Sequence, residues 1–408
     1  MSRPNIIQII VNQQHWKAWG YAGNPLVSTP YLDSIAKHGL YFDQASAHAV
    51  AEASAAKSLF TGRFPQQKGD DASLPFVPEL LQQASYTTAY IGARAGLIRE
   101  SGFDQIRLVG EPGQDSEDDD YCAWLREREA PACALEAHHS PQDGPAPMSQ
   151  EWTETTWIAT QAVRFLKATT EPFYATLHFT SPGPVFNPPQ PWASQYKATN
   201  MHALPGLNGS VDFDKNAQKR LAWYYGLVSH LDSQIGRVMG MLSVQGHTNT
   251  VIVFTANQGH AFGAPHNDNP IPALAIHEAE MRVPLVISGV FGQRRGERSH
   301  ALVQHSDIAP ALLNLAGADD TFPHDGVNLL PHLRGEKSTV HRGAYSQTRD
   351  HLSVIRNKDY TLQLSPDGLY RHDTLSGVCA DNLLGAPKHI KAQVQLFKAW
   401  EKRVSPPK

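Results

Sequence analysis

Hydrophobic residues follow two different patterns, one typical of strands and one typical of helices, and segments with the two patterns alternate along this chain. Short, almost wholly apolar runs are typical of strands buried on both faces of a parallel sheet. They occupy residues 6–11, 88–93, 172–179, 250–255 and 283–288. Helical periodicity or helix start and stop residues predict helices. These cover residues 30–38, 53–61, 152–167, 221–242 and 306–317. Strands alternating with helices predict an α/β protein with a large, mostly parallel, doubly wound sheet.

The first predicted helix has sequence signals at both ends. Thr29 precedes Pro30, and a threonine before a proline in the first turn is typical of a helix N-cap. Gly39 follows the last predicted helical residue, and glycine commonly ends a helix. We therefore expect Thr29 to cap this helix and Gly39 to stop it.

The pattern changes after about residue 342, where short alternating runs predict a small antiparallel sheet followed by one helix. The three runs and the helix lie at residues 351–355, 360–364, 369–370 and 389–404. We expect a core domain of residues 1–341 and a small C-terminal α+β subdomain of residues 342–408. Residues 110–150 are acidic and rich in Pro, Ser and Asp, which predicts a surface insertion in the core domain.

Composition and charge exclude several classes of protein. Apolar residues at 41% and charged residues at 18% are typical of a globular protein. A net charge of -4 without a long basic run argues against nucleic acid or an anionic membrane surface as a partner. The three cysteines are too few for a disulfide framework and match no zinc motif. The absence of a signal peptide, and of any run of about 18 apolar residues, predicts a cytoplasmic protein.

One stretch, residues 45–63, carries the clearest chemical information. Its sequence, ASAHAVAEASAAKSLFTGR, ends in Leu-Phe-Thr-Gly-Arg. It resembles the segment of sulfatases that carries the nucleophile, where Cys (or Ser)-x-Pro-Ser-Arg stands before a Leu-Leu-Thr-Gly-Arg-like end. Counting back from Gly62, Glu52 takes the position of the nucleophile and Ala56 that of the arginine. This resemblance therefore implies a catalytic segment without its usual catalyst.

The resemblance to the sulfatase branch of the alkaline phosphatase superfamily extends over nearly the whole chain. Similar segments, in the family's order, begin at Arg3, Gly23, Thr29, Tyr90, Gly102, Arg282, Asp307, Asp325 and Leu369. The resemblance implies the alkaline phosphatase/sulfatase-like fold. This fold has a large, mostly parallel sheet flanked by helices, with a small C-terminal antiparallel sheet plus helix.

The same resemblance implies a site that has lost the family's chemistry. Sulfatases hold a divalent metal, usually calcium, with carboxylates, and attack the substrate with a formylglycine made from Cys or Ser. Here Asn12, Gln13, Asn257 and Gln258 stand in the positions of the metal ligands. Glu52 cannot become formylglycine, and its charge would repel a sulfate or phosphate. We therefore predict no metal and no cofactor.

Other substrate-binding positions are also changed. Ala93 and Ala95 replace a Lys-x-His pair, flanking Arg94, while Gly183 and Ala273 replace a histidine and a lysine. His277 and Glu278 stand in the place of a Tyr-Glu pair. The predicted pocket binds a small polar ligand, since its residues are polar or charged. These residues are Asn12, Gln13, Lys57, Arg94, Asn257 and Gln258.

Three functions fit these residues. The leading hypothesis is a sulfatase-like pseudoenzyme that binds a small polar molecule or a protein partner. The second is a metal-independent enzyme in a biosynthetic or catabolic pathway, using Glu52 and nearby histidines for acid–base chemistry. The histidine candidates are His15, His48, His260 and His277. The third is an active sulfate or phosphate ester hydrolase. The sequence leaves a homo-oligomer open.

Plainer structural roles compete with these functions. The four amide side chains would equally well form a pocket floor whose hydrogen bonds are satisfied internally, and Glu52 would be a favourable charge at a helix N-terminus. The histidines would be single surface or core residues. A rebuilt transition-metal site from His260, His266 and Asp268 is a further alternative, because imidazole suits zinc or copper.

Overall fold

The chain is described here from a computed structural model. It describes residues 3–65, 74–113, 119–170, 172–204, 213–262, 278–289, 294–318, 323–347, 353–364, 368–371, 383–385 and 387–404.

A large sheet forms the centre of the protein. Its eight strands are β1 (Asn5–Asn12), β2 (Gly39–Ser46), β3 (Thr87–Ala93), β4 (Gln105–Val109), β5 (Phe173–Pro182), β6 (Thr250–Ala256), β7 (Leu285–Ser288) and β8 (Glu297–Gln304). The spatial order is β4-β3-β5-β1-β6-β7-β2-β8. All neighbouring strands are parallel except that β7 runs antiparallel to β6 and β2. The strands β3, β5, β1 and β6 therefore end at the same edge of the sheet.

Helices flank this sheet and bury its apolar side chains. They are α1 (Pro30–Lys37), α2 (Glu52–Thr61), α3 (Val77–Gln83), α4 (Asp120–Glu127), α5 (Ala132–His139), α6 (Glu154–Ala168), α7 (Lys215–Gln245), α8 (Glu278–Met281), α9 (Ile308–Ala316), α10 (Leu330–Leu333) and α11 (Ile390–Val404). The long helix α7 begins at Asp214, whose carboxylate accepts hydrogen bonds from two backbone amides, and ends at Gly246 in the left-handed conformation. No helix in the described ranges is long and apolar enough to cross a membrane.

A second, four-stranded antiparallel sheet follows in sequence. It consists of β9 (Ala344–Gln347), β10 (Ser353–Arg356), β11 (Tyr360–Leu364) and β12 (Gly368–Arg371), in the order β12-β11-β10-β9. Leu396 of α11 packs with Ile355 and Leu362 of this sheet. The predicted fold class, a large mostly parallel sheet with a small antiparallel sheet plus helix, is confirmed. The boundary between residues 341 and 342 stays a prediction.

The strands that the apolar pattern did not identify have mixed surroundings. The edge strands β4 and β8 each carry exposed residues, so they lack a continuous apolar run. β2 was missed because Gly39 was assigned as a helix stop, whereas it is the first residue of this strand. A Cβ at Gly39 would lie 2.6 Å from the carbonyl oxygen of Ile287, so the close pairing of β2 with β7 requires glycine there.

The predicted position of Thr29 as the N-cap residue of α1 is confirmed. Its side chain, however, makes no capping hydrogen bond. Its hydroxyl donates to a carboxylate oxygen of Asp33 at 3.0 Å and accepts from the backbone amide of Gly20 at 2.8 Å. The side chain therefore ties the preceding turn to the helix.

The segment predicted as a surface insertion contains α4 and α5. Tyr121 and Leu125 of α4 and Ala134 of α5 are buried in the main hydrophobic core. This segment therefore contributes to the core and, through the same helices, to the wall of the cavity described next.

Candidate active site

A cavity of about 230 Å³ opens where several parallel strands end. Asn12 at the end of β1, Ala93 at the end of β3 and Ser181 near the end of β5 line it. Glu52, the first residue of α2, also lines it. Ligands of open α/β sheets bind at this edge, because the loops after adjacent strands diverge there. The topology thus brings Glu52 to the expected place for a functional pocket.

The rest of the wall comes from segments far apart in sequence. Glu111, Tyr121, His138 and Glu154 line one side, and His230 of α7 closes another. The 110–150 segment therefore walls this cavity.

Glu52 faces a histidine that the sequence interpretation overlooked. Its Oε1 lies 3.4 Å from Nε2 of His178 in β5. The imidazole of His178 is fully buried. A Cβ on Gly96 would lie 1.9 Å from Nδ1 of His178, so a glycine at this position makes room for the ring. The sequence signal for His178 was a polar residue within the otherwise apolar end of a predicted buried strand.

The hydrogen bonds of Tyr90 determine the tautomer of His178. The hydroxyl of Tyr90 donates to the carbonyl oxygen of Ala93 at 2.6 Å and lies 3.0 Å from Nδ1 of His178. A hydroxyl has one proton to donate, so at the second contact Tyr90 accepts a hydrogen bond from Nδ1–H. The neutral ring then carries its lone pair on Nε2, which is the atom facing Glu52.

Burial favours the neutral forms of both groups. It raises the pKa of Glu52 to about 7, with a smaller contribution from the charge of Glu111. It lowers the pKa of His178 to about 3. A protonated Glu52 facing the lone pair of a neutral His178 satisfies both effects. Among the described residues, Oε1 of Glu52 and Nε2 of His178 are both buried without a hydrogen-bond partner, and they face each other at 3.4 Å.

The amide side chains predicted as pocket residues mostly bind one another. Oδ1 of Asn12 accepts from Nδ2 of Asn257 at 2.8 Å, and Oδ1 of Asn257 accepts from the backbone amides of Gln13 and Gln258 at 3.0 and 2.7 Å. Nδ1 of His260 lies 2.9 Å from Oε1 of Gln13. Asn12 lines the cavity, whereas the other three amides lie behind it. Gln13 has a φ of 54°, a strained conformation typical of functional sites.

These amides do not fit the calcium ion of the family's chemistry. Calcium requires six to eight oxygen ligands, usually including several carboxylates. The side-chain oxygens of Asn12, Gln13 and Asn257 are neutral and already accept hydrogen bonds. Moreover, a Cβ on Gly183 would lie 2.7 Å from Nδ2 of Asn12, so Asn12 occupies space next to the position expected for a histidine.

The remaining predicted residues are dispersed. Arg94 lines the cavity and forms a 3.2 Å ion pair with Glu100, with 39% of its side chain exposed. Lys57 lies in α2, one turn beyond Glu52, and does not line the cavity. Ala93, Ala95 and Gly183 do line it, so short side chains leave open the space that larger residues would fill.

The histidines proposed as partners of Glu52 lie elsewhere or outside the described residues. His15 accepts a hydrogen bond at Nδ1 from the backbone amide of Lys17. His48 lies 2.8 Å from the hydroxyl of Ser306 and 3.2 Å from the carbonyl of Tyr345. Neither of them, nor His260, lines the cavity. Outside the described residues lie His266, Asp268, Ala273 and His277.

A second carboxyl–histidine group stands in the cavity wall. His138 lies between Asp119, 3.0 Å from Nε2, and Glu154, 2.6 Å from Nδ1. The two carboxylates outweigh burial and raise the pKa of His138 to about 10, and hydrogen bonds from His138 and Cys122 lower that of Asp119 to about 2. The other oxygen of Glu154 accepts from the hydroxyl of Thr180 at 2.5 Å. Sequence reasoning missed this group because it placed residues 110–150 on the surface.

Comparisons with known proteins place this chain in a family. The family described as Sulfatase matches residues 4–318. An ulvan-active sulfatase of Formosa agariphila is 25% identical over 99% of this chain and 81% of its own length. An arylsulfatase of Clostridium perfringens is 25% identical over 90% of this chain and 86% of its own. The chain therefore belongs to the sulfatase family.

A solved structure agrees with this assignment at the level of fold. The phosphonate monoester hydrolase of Agrobacterium radiobacter superposes with a TM-score of 0.85, covering 98% of this chain and 96% of its own, at 19% identity. The alkaline phosphatase/sulfatase-like fold is thus shared over nearly the whole chain.

Proposed function

We propose that this sulfatase-family protein binds a small polar ligand in the cavity at Glu52 and does not hydrolyse sulfate esters by the family's metal and formylglycine route. The observation that carries the proposal is the carboxyl group of Glu52, which lines the cavity at the start of α2, in the position expected for the nucleophile. Hydrolysis by that route needs an electrophile-activating metal and a hydrated aldehyde. Glu52 cannot supply the aldehyde, and the neighbouring amides do not fit the calcium ion.

The charges around the cavity support an uncharged or cationic ligand. Glu52, Glu111 and Glu154 line it, against Arg94 and the doubly paired His138. A sulfate or phosphate would lie beside these carboxyl groups and would be repelled when they are ionised. Ser181 and His230 each have a buried polar atom without a hydrogen-bond partner among the described residues, Oγ and Nδ1 respectively. Both residues line the cavity and could hydrogen-bond a hydroxyl or amine group.

Two measurements test this proposal. Purified protein is assayed with 4-nitrophenyl sulfate and 4-nitrophenyl phosphate, with and without calcium, and we expect no turnover. Thermal stability is then measured with amino sugars, neutral sugars and their sulfated counterparts. We expect stabilisation by an unsulfated compound, which weakens in Glu52→Gln but not in Glu127→Gln, an exposed control. Turnover of the aryl sulfate that stops on chelation would overturn the proposal.

The Glu52–His178 contact favours a second candidate function, acid–base catalysis without a metal. A carboxyl group with a pKa near 7 is matched to proton transfer at neutral pH, and His178 provides a neutral acceptor 3.4 Å away. If a stabilising compound is also converted, Glu52→Gln should abolish conversion while retaining binding. Conversion that survives Glu52→Gln would remove this candidate.

A further inference from the structure

Three metal-ligating side chains meet in the wall of the cavity, apart from the Glu52 contact. Asp119, Cys122 and His138 are only 2%, 2% and 3% exposed. One ligand atom from each lies within 4.8 Å of the others. Buried ionisable groups of this kind are paired with each other or coordinate a metal. A Cβ on Gly110 would lie 2.5 Å from Oδ2 of Asp119, so glycine makes room for this carboxylate.

Two short helices hold these ligands. Asp119 caps α4 by accepting a hydrogen bond from the backbone amide of Cys122 at 3.0 Å, which fixes Asp119 next to the first turn. His138 stands in the last turn of α5, next to His139. Nε2 of His139 lies 3.8 Å from Sγ of Cys122. His139 is therefore placed to supply a fourth ligand.

Glu154 orients His138 as an outer carboxylate orients a metal-bound imidazole. It contacts Nδ1 at 2.6 Å, which directs Nε2 towards Asp119 and Cys122. Histidine ligands usually donate their second N–H to such a carboxylate or to a carbonyl, which holds the ring in position. Thr180 in turn donates to the other oxygen of Glu154 at 2.5 Å. The orienting carboxylate is thus itself held in place.

We propose that Asp119, Cys122 and His138, with His139 as fourth ligand, bind one zinc ion in the cavity wall. Thiolate, imidazole and carboxylate are the ligands of tetrahedral zinc, whereas calcium prefers oxygen ligands alone. Zinc–ligand bonds of about 2.0–2.3 Å place donor atoms roughly 3.3–3.8 Å apart. The 3.0 Å contact of Asp119 with His138 and the 3.8 Å contact of Cys122 with His139 are near these values. The other separations among Asp119, Cys122 and His138 lie within 4.8 Å, so zinc binding would shorten them by up to about 1 Å.

The proposed zinc site is also balanced in charge. The thiol of Cys122 and the Nε2–H of His138 each release a proton to solvent. The resulting thiolate and the Asp119 carboxylate together neutralise the dication, while both imidazoles bind as neutral ligands. Glu154 keeps its hydrogen bond from Nδ1–H. This site is independent of the proposed ligand at Glu52, so either proposal can fail without the other.

The experiment uses the full chain, freed of metal by a chelator and dialysed. We expect it to take up about one zinc ion per chain, measured by elemental analysis. Cobalt should bind in the same site and give a thiolate-to-cobalt charge-transfer absorption. Cys122→Ser should lose that absorption, whereas the matched control Cys133→Ser should keep it, because Cys133 instead donates to the carbonyl of Pro147.

A second variant keeps the test decisive if Cys122→Ser does not fold. Glu154→Gln leaves all four ligands in place and should weaken zinc affinity by about 10- to 100-fold without changing the stoichiometry. Folded wild-type protein that takes up neither zinc nor cobalt would overturn the proposal and leave an ion-paired cluster. Cobalt binding without the thiolate absorption would equally overturn it.

Discussion

The cavity contains two carboxyl–histidine groups with opposite protonation. Below about pH 7 Glu52 and His178 are both neutral, since the pKa of the acid is raised to about 7 and that of the base lowered to about 3. Asp119 and His138 are both charged in the metal-free protein, with pKa values of about 2 and 10. Both histidines are buried to 3% exposure or less, so burial alone does not decide the charge.

The difference lies in the hydrogen-bond partners of each imidazole. His138 has a carboxylate at both ring nitrogens, so two negative charges stabilise the imidazolium. His178 has a carboxyl group at Nε2 only. At Nδ1 it has the hydroxyl of Tyr90, which accepts a hydrogen bond but carries no charge. Without a second carboxylate, desolvation dominates, so below about pH 7 His178 is neutral and Glu52 keeps its proton. In this protein the buried imidazole with two carboxylate partners is the charged one, and the backbone amide of Cys122 further stabilises the anion of Asp119.

The largest expected effect comes from removing the central cation of the charged group. In chelator-treated protein, His138→Ala leaves Asp119 and Glu154 without their shared partner and should lower the free energy of unfolding by about 3–5 kcal/mol. Urea unfolding followed by circular dichroism measures this change. The control is His300→Ala, which removes an exposed contact with Asp43 and should cost less than about 1 kcal/mol. Equal losses in the two variants would contradict the buried ion-pair assignment.

A pH-dependent effect should follow from Glu52→Gln. The folded-state pKa of Glu52 is raised from 4.5 to about 7. The folded state therefore retains the proton between these values, and the wild type loses stability as pH rises through this window. At about pH 8 the variant should be more stable by up to about 3 kcal/mol, and at or below about pH 4.5 the two should be equal.

Urea unfolding at several pH values tests the sign of this prediction. The exposed control Glu127→Gln should change stability by no more than about 0.5 kcal/mol. A stability difference for Glu52→Gln that does not grow between about pH 4.5 and 7 would show that Glu52 is ionised throughout this range.

A smaller effect is expected when the neutral pair loses its orienting hydroxyl. Tyr90→Phe leaves the buried Nδ1–H of His178 without an acceptor and should lower the free energy of unfolding by about 2 kcal/mol. Nitrogen NMR of labelled histidine should show that the Nδ1–H tautomer is no longer uniquely populated. Tyr86→Phe, which removes a buried hydroxyl bonded to the carbonyl of Pro4, is the control and should leave this tautomer unchanged. An unchanged tautomer in Tyr90→Phe would show that another contact determines it.

The smallest effect concerns the hydroxyl that holds the outer carboxylate of the charged group. Thr180→Val removes the hydrogen bond to Glu154 and should destabilise the protein by about 1 kcal/mol. Thr169→Val, at a partly exposed site with a 3.4 Å contact, should stay within about 0.5 kcal/mol of wild type. Thermal unfolding is sensitive enough to separate them. Indistinguishable variants would mean that Thr180 does not hold Glu154.

Local patterns predicted the fold because burial on both faces leaves a continuous apolar run. β1 and β6 are visible in this way, whereas the edge strands β4 and β8 begin with exposed residues, lack a continuous apolar run and were missed. Glu52 was found for a similar reason. Its position follows from counting along one short segment that ends at Gly62, and no distant contact was needed.

The partners of Glu52 could not be found by this means. His178, Tyr90 and Gly96 reach the site from different strands and loops, and only the order of the parallel strands brings them together. The histidines chosen because they stand near motifs, such as His15 and His48, do not line the cavity. Their imidazoles contact the backbone amide of Lys17 and the hydroxyl of Ser306 instead.

The sequence by itself determined the mostly parallel sheet, the position of Glu52 and the replacement of the family's ligands by amides. These properties depend on residue type and local spacing. Only the tertiary structure decided the charge of each carboxyl–histidine group, because charge depends on desolvation and on which groups from distant segments face one another. It also decided that Asp119, Cys122, His138 and His139 meet, since α4 and α5 must first pack together. Glu52 therefore occupies a place that the sequence predicts, in a protonation state that the fold determines.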